Sequence, residues 1–165
     1  FSLGVCNGCQ AFSLLSSLIP GADLWPSFEK NISEKFEARL VQISVEESPS
    51  IFFKGMVGAV IPVPVAHGEG RVEIKATNLH ALTKNKLNTI SYADHQGKKT
   101  ENYPANPNGS INGIAGVTNE SGTITVMMPH PERAFLKDQF SWKPEEWSHY
   151  SPWIQFFLNA RGFVD

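Results

Sequence analysis

The stretch FSLGVCNGCQAFSLLSSLI, residues 1–19, decides how the rest of the chain is read. Phe1 to Val5 is a short apolar run ending in Cys6-Asn7-Gly8, after which Ala11, Leu14, Leu15, Leu18 and Ile19 recur at i, i+3, i+4, i+7 and i+8. This pattern predicts a strand, a sharp turn and an amphipathic helix. Pro20-Gly21 ends the helix, because Gly suits the left-handed position past the last turn and Pro cannot continue the ladder. Gly4-Val5-Cys6-Asn7-Gly8 then has the form G-x-nucleophile-x-G at a strand-to-helix junction. The two glycines let strand and helix approach closely around a strained turn. Cys6 is left at the helix N-terminus, where the helix dipole favours a thiolate, and the backbone N–H of Asn7 is free to donate to an oxyanion. An unselected free cysteine is more often a small core residue. The glycine frame sets Cys6 apart from that class, and Cys9, which lacks such a frame, is read as structural.

Further β-type runs are expected at Ala38 to Val45, Met56 to Val65, Arg71 to Ile74, Thr89 to Ala93, Gly113 to Thr118 and Thr123 to Met128, with a short helix at Asn78 to Lys84. Ser151-Pro152 supplies an N-cap and a first-turn Pro for a last helix, in which Trp153, Phe156, Phe157 and Ala160 share a face. Asn102 to Asn112, with Pro104, Pro107, Gly109 and several Asn, reads as an irregular loop. The whole is an α/β sheet with helices on its faces. Because the first residue is Phe and a strand opens the chain at once, the expectation is a fragment whose N-terminal strands are missing.

A chain of 165 residues that is 41% hydrophobic suits one domain. Its 14 Lys+Arg balance 16 Asp+Glu to a net charge of −2, and no basic run is present. Neither nucleic acid nor an anionic membrane is therefore an expected partner. No apolar stretch approaches the roughly 20 residues that span a bilayer. Two cysteines make no disulfide framework, so a reducing, cytoplasmic setting is expected, with a Cys6-Cys9 redox pair as the minor alternative.

The second constellation is Pro129-His130-Pro131-Glu132-Arg133, directly after a predicted strand. In extended backbone His130 and Glu132, at i and i+2, point to the same side. Glu132 can then accept from one imidazole nitrogen and leave the other for a nucleophile, the orienter-base-nucleophile arrangement of a triad. The flanking prolines favour that extended shape. Alone, the pair is more often a surface His beside a surface Glu; the Cys6 turn reverses the balance. His80, His95 and His149 read as surface residues. His67 opens His67-Gly68-Glu69-Gly70 after a strand, where a loop would face the sheet's C-terminal edge.

With these residues in place, the chain resembles the glutaminase domain of the phosphoribosylformylglycinamidine synthase family in its long single-chain form. The resemblance rests on GVCNGCQ (4–10), Leu24-Trp25-Pro26, FEAR (36–39), HGEGR (67–71), YPANPNGS (103–110), MMPHPER (127–133), Ser151 to Trp153 and Asn159 to Arg161. It implies a partial class I glutamine amidotransferase-like domain over residues 1–165, with further strands and a second oxyanion donor normally upstream. It implies Cys6, His130 and Glu132 as triad, and Gln10 with the turn Ala66, His67, Gly68 and Glu69 as glutamine pocket. The implied reaction turns glutamine into glutamate and ammonia through a cysteine thioester. Ammonia would pass to a synthetase part of the same polypeptide, where ATP and magnesium drive amidation of phosphoribosylformylglycinamide. No cofactor or metal is expected in this segment itself.

Two rival readings come from other classes. Cys6-x-x-Cys9 with His130-x-Glu132 superficially resembles the C-x-x-C and H-x-E pairs of zinc deaminases, although the order is reversed and Pro131 interrupts the second. The segment could also serve only as a docking piece of the synthetase.

Overall fold

The computed structural model describes residues 1–165. Its elements run β1 (Ser2–Val5), α1 (Asn7–Leu14), β2 (Ser27–Lys30), β3 (Glu37–Val45), β4 (Val60–His67), β5 (Glu69–Glu73), α2 (Ala76–Lys84), β6 (Asn88–Ala93), β7 (Ile114–Thr118), β8 (Ile124–Met127) and α3 (Trp153–Gly162). Six strands form one mixed sheet in the order β1-β8-β7-β6-β3-β4, while β2 and β5 form a separate antiparallel ribbon. Only β1 and β8 run parallel, with Gly4 opposite Val126. β1 and β4 therefore lie at the two edges of the main sheet.

β4 shows how the sequence sets an edge. Ile61, Val63 and Val65 alternate into the core, and the residues between them include Pro62 and Pro64. Proline has no N–H to give to a further strand, so it is tolerated where nothing pairs. The two carbonyls are used instead: Pro64 accepts from the backbone N–H of His130 at 2.9 Å and Pro62 from the indole N–H of Trp153 at 2.8 Å. The segment after β8 is thereby tied back onto β4.

Two apolar clusters sandwich the sheet. On one side Ile43, Val63, Phe52 and Phe53 meet Trp153 and Phe156 of α3, with the Phe156 ring centroid 4.9 Å from those of Phe52 and Phe53. On the other, Cys9 joins Trp25, Phe28, Leu82, Val117 and Val126. Cys9 is wholly buried, in keeping with a structural role. The start of α3 follows expectation: Ser151 Oγ accepts from the Trp153 N–H at 3.1 Å, and Pro152 already has helical φ and ψ.

Four expectations are corrected. α1 stops at Leu14, and of its expected apolar stripe only Ile19 packs against a core, with Leu14 and Leu18 82% and 77% exposed. Its inward face is instead Cys9 and Phe12. β4 begins only at Val60, because Met56 to Ala59 is a turn closed by Met56 N–H to Phe53 and Ala59 N–H to Met56. The ribbon strand β2 was not expected. Finally, His67-Gly68-Glu69-Gly70 is not an open loop but the junction between β4 and β5. His80, His95 and His149 lie outside the buried core as expected, and residues 102–112 form an ordered loop pinned by Asn106, whose side chain bonds Gly109 and Ser110. No helix is long and apolar enough to cross a membrane.

Candidate active site

Cys6 sits between β1 and α1 with φ 53° and ψ −111°, a conformation that costs a non-glycine residue energy on the order of 1–3 kcal/mol. Neighbouring contacts hold it there. Its N–H donates to Met127 at 2.9 Å, and its carbonyl accepts from Gln10 at 3.1 Å. A Cβ on Gly4 would lie 2.7 Å from the Gly8 carbonyl oxygen, so strand and helix touch through bare backbone at that point. Gly8 itself has open space for a Cβ; only one of the two framing glycines is sterically required.

The helix-dipole expectation for Cys6 is not met. Burial pushes its thiol up, and the opposing pull of the Asn7 N–H and the Arg133 guanidinium does not cancel it; Glu132 adds to the rise. A thiol so placed needs a base to become a good nucleophile. The Asn7 N–H lies against the sulfur and can serve charge developing there.

His130 follows β8, and its Nδ1 donates to Glu132 Oε1 at 2.7 Å. In the neutral ring Nε2 is then the acceptor. This nitrogen is buried and has no partner within the protein. The backbone differs from expectation: Pro131–Arg133 is a short 3₁₀ turn, and it is this turn, not extended chain, that brings Glu132 back under the imidazole. Arg133 Nε is 3.3 Å from the same carboxylate oxygen.

A cleft of about 550 Å³ unites the residues singled out in the sequence. Cys6, Asn7 and Gln10 line one part, and Ala66, His67, Gly68, Glu69 and His130 the rest, with Glu132 bonded behind His130. Gln10 Nε2 donates to Glu69 Oε2 at 2.5 Å and to the Phe28 carbonyl at 3.3 Å. Val5, Phe36 and Arg133 also line the cleft and were not singled out for a role. Phe36 and Arg133 lay within quoted strings, yet no spacing rule marked them. A larger cleft of about 760 Å³ between Ser48 to Lys54 and the end of α3 contains no comparable nucleophile and base.

His67 is 4% exposed and hydrogen-bonded through Nδ1 to Asn108 Nδ2 at 3.1 Å. Burial, joined by the charge of His130, pushes its imidazole down to about 4, so the ring is neutral at physiological pH. Gly70, at φ 139°, leaves room for this pair: a Cβ there would lie 2.9 Å from Asn108 Nδ2 and 3.1 Å from His67 Cε1. No group of three or more His, Cys, Asp or Glu is placed to hold a metal ion.

The strand-turn-helix junction at Cys6, on a mixed sheet that ends in the His130 turn, has the architecture of a class I glutamine amidotransferase. The chain belongs to the CobB/CobQ-like glutamine amidotransferase domain family, whose model matches residues 1–164. The solved structure of PurLQS from Thermotoga maritima is similar with a TM-score of 0.67 and 26% identity, over 99% of this chain and 61% of that one. A putative GMP synthase component from Thermoplasma acidophilum shares the fold with a TM-score of 0.53 and 16% identity, over 97% of this chain and 55% of that one. The chain thus spans less than two thirds of the length of either.

Proposed function

We propose that this domain hydrolyses glutamine to glutamate and ammonia through a thioester on Cys6, and that the ammonia serves ATP-dependent amidation of phosphoribosylformylglycinamide in purine biosynthesis. The observation that carries the reading is the strained Cys6 turn sharing one cleft with a histidine whose far nitrogen is bonded to Glu132. The purine assignment is supported by the sequence strings shared with phosphoribosylformylglycinamidine synthases and by the likeness to PurLQS.

His130 Nε2 takes the Cys6 proton as the sulfur attacks the side-chain amide carbon of glutamine. The Asn7 N–H stabilises the oxyanion. His130 then gives the proton to the departing nitrogen, and ammonia leaves. Water delivered through the same base hydrolyses the thioester, while Glu132 keeps the ring in the useful tautomer. Glu69 and Arg133 bring opposite charges to one cleft, which suits the α-ammonium and α-carboxylate of a free amino acid. ATP and magnesium act in the synthetase part of the intact enzyme, not at this cleft.

The test is glutamine-dependent turnover of the intact enzyme with two cysteine variants. Cys6→Ala should abolish it, and Cys9→Ala should retain most of it at some cost in stability. The reverse pattern would overturn the assignment of the nucleophile. The zinc reading gains no support from the geometry, since Cys9 points into the core.

A further inference from the structure

His67 is the buried polar side chain of the cleft to which the proposed chemistry gives no task. Its protonation pattern can be traced from the backbone. Asn31 Nδ2 donates to the carbonyls of His67 at 2.9 Å and Lys35 at 3.0 Å, so Asn31 Oδ1 must be an acceptor. The Asn108 atom facing that oxygen is therefore its Nδ2, and Asn108 Oδ1 accepts from the Tyr92 hydroxyl. The same Nδ2 meets His67 Nδ1, which is thus the acceptor of that bond. The His67 proton sits on Nε2.

This N–H is buried and has no partner within the protein. His130 is the complementary case: its Nδ1 proton is committed to Glu132, and its buried Nε2 has a lone pair and no protein partner. Two ring nitrogens of opposite hydrogen-bonding sense thus belong to residues lining the cleft that holds Cys6. Buried polar groups find partners, so the pair selects a small molecule that accepts at one end and donates at the other. Water does both.

We propose that His67 Nε2–H and His130 Nε2 together hold the water that hydrolyses the acyl-Cys6 intermediate, which makes His67 a positioning residue for deacylation. This rests on the thioester reading above. The water oxygen accepts from His67 and keeps a lone pair for attack. One water proton passes to His130 Nε2 as the oxygen–carbon bond forms at the thioester carbonyl. The tetrahedral intermediate collapses, the carbon–sulfur bond breaks, and His130 returns the proton to the Cys6 sulfur. Thioester and water become carboxylic acid and thiol with no other reactant. His67 donates a hydrogen bond throughout and takes up no second proton, in keeping with its neutral ring.

The experiment follows the glutamyl-enzyme in the intact amidotransferase by rapid quench with labelled glutamine. His67→Phe keeps a ring without the N–H, whereas His67→Gln can restore a donor. His67→Phe should lower kcat by about 10–10²-fold and lower KM in parallel, leaving kcat/KM for glutamine unchanged, as expected when only a late step is slowed. Labelled thioester should accumulate, hydroxylamine should discharge it, and His67→Gln should recover part of kcat. If His67→Phe fails to fold, Asn108→Asp provides the test. A carboxylate there would draw the ring proton to Nδ1 and turn Nε2 into an acceptor, so the same accumulation is expected. A fall in kcat/KM without accumulated thioester would overturn the proposal and make His67 a substrate-binding or acylation residue. If wild-type enzyme forms no thioester on Cys6, the function proposed above fails first, a separate outcome.

Discussion

At the scale of single residues, His67 links the site to the stability of the domain. In the unfolded chain its imidazole takes up a proton near pH 6.5, whereas in the fold burial delays this to about 4. Between these values the unfolded state binds more protons, so stability is full above pH 6.5 and falls as pH drops toward 4, by up to about 3 kcal/mol. Denaturant titrations at pH 7 and pH 5 should show this loss, and His67→Gln should remove most of it; an unchanged slope in the variant would assign it to other groups. The site was legible in the sequence wherever a residue type stood at a fixed spacing, as with Cys6 between glycines or His130 two before Glu132. Apart from the resemblance, which put it in the glutamine pocket, His67 was marked only by its place after a strand. Its partners Asn31 and Asn108 are distant in the chain, and no local pattern could join them. The raised thiol of Cys6 was equally hidden, because local sequence displays a helix start but not the burial that outweighs it.

Among the elements, the junction of β1 and α1 supports an unequal pair of substitutions. Gly4→Ala places a methyl 2.7 Å from the Gly8 oxygen, and should destabilise by about 1–3 kcal/mol as strand and helix are forced apart. Gly8→Ala meets nothing, lies within a helix, and should be neutral or stabilising by up to about 1 kcal/mol. Thermal melts of the two variants decide this, and equal losses would contradict the close approach of β1 to α1. Most strands were legible because apolar residues of β3, β4, β7 and β8 run at strand spacing. β2 was missed because its four residues, Ser27-Phe28-Glu29-Lys30, bury one side chain and owe their form to pairing with β5. The apolar face of α1 was misread for a related reason. Periodicity locates a stripe, but contact with a neighbouring element decides which side is covered, and here Cys9 and Phe12 face inward.

For the whole molecule, the proposed separation of glutamine chemistry from acceptor chemistry has a direct consequence. In the intact enzyme His130→Ala or Glu132→Ala should lose glutamine-dependent turnover while turnover with added ammonia persists, because neither residue would be needed once ammonia is free. Equal loss with both nitrogen sources would place these residues in the synthetase chemistry instead. The α/β arrangement was legible as a class, while the order of the strands was not. Only the long-range ladders between β1 and β8, and between β3 and its neighbours β4 and β6, fix that order.

The bond from His130 to Pro64 ties the segment after β8 to the edge strand β4, remote from it in sequence, and this carries a kinetic consequence. Opening that contact would displace His130, the proposed base, while the ladders of β3, β6 and β7 remain paired. Such an opening requires less free energy than global unfolding. Catalysis should therefore be the first property lost on warming, and the backbone amide of His130 should exchange with deuterium sooner than that of Ile43 in the middle of the sheet. With the proposed base fastened by one edge strand, the enzyme would fall silent before it unravels, and a partly opened chain would not release ammonia to no purpose.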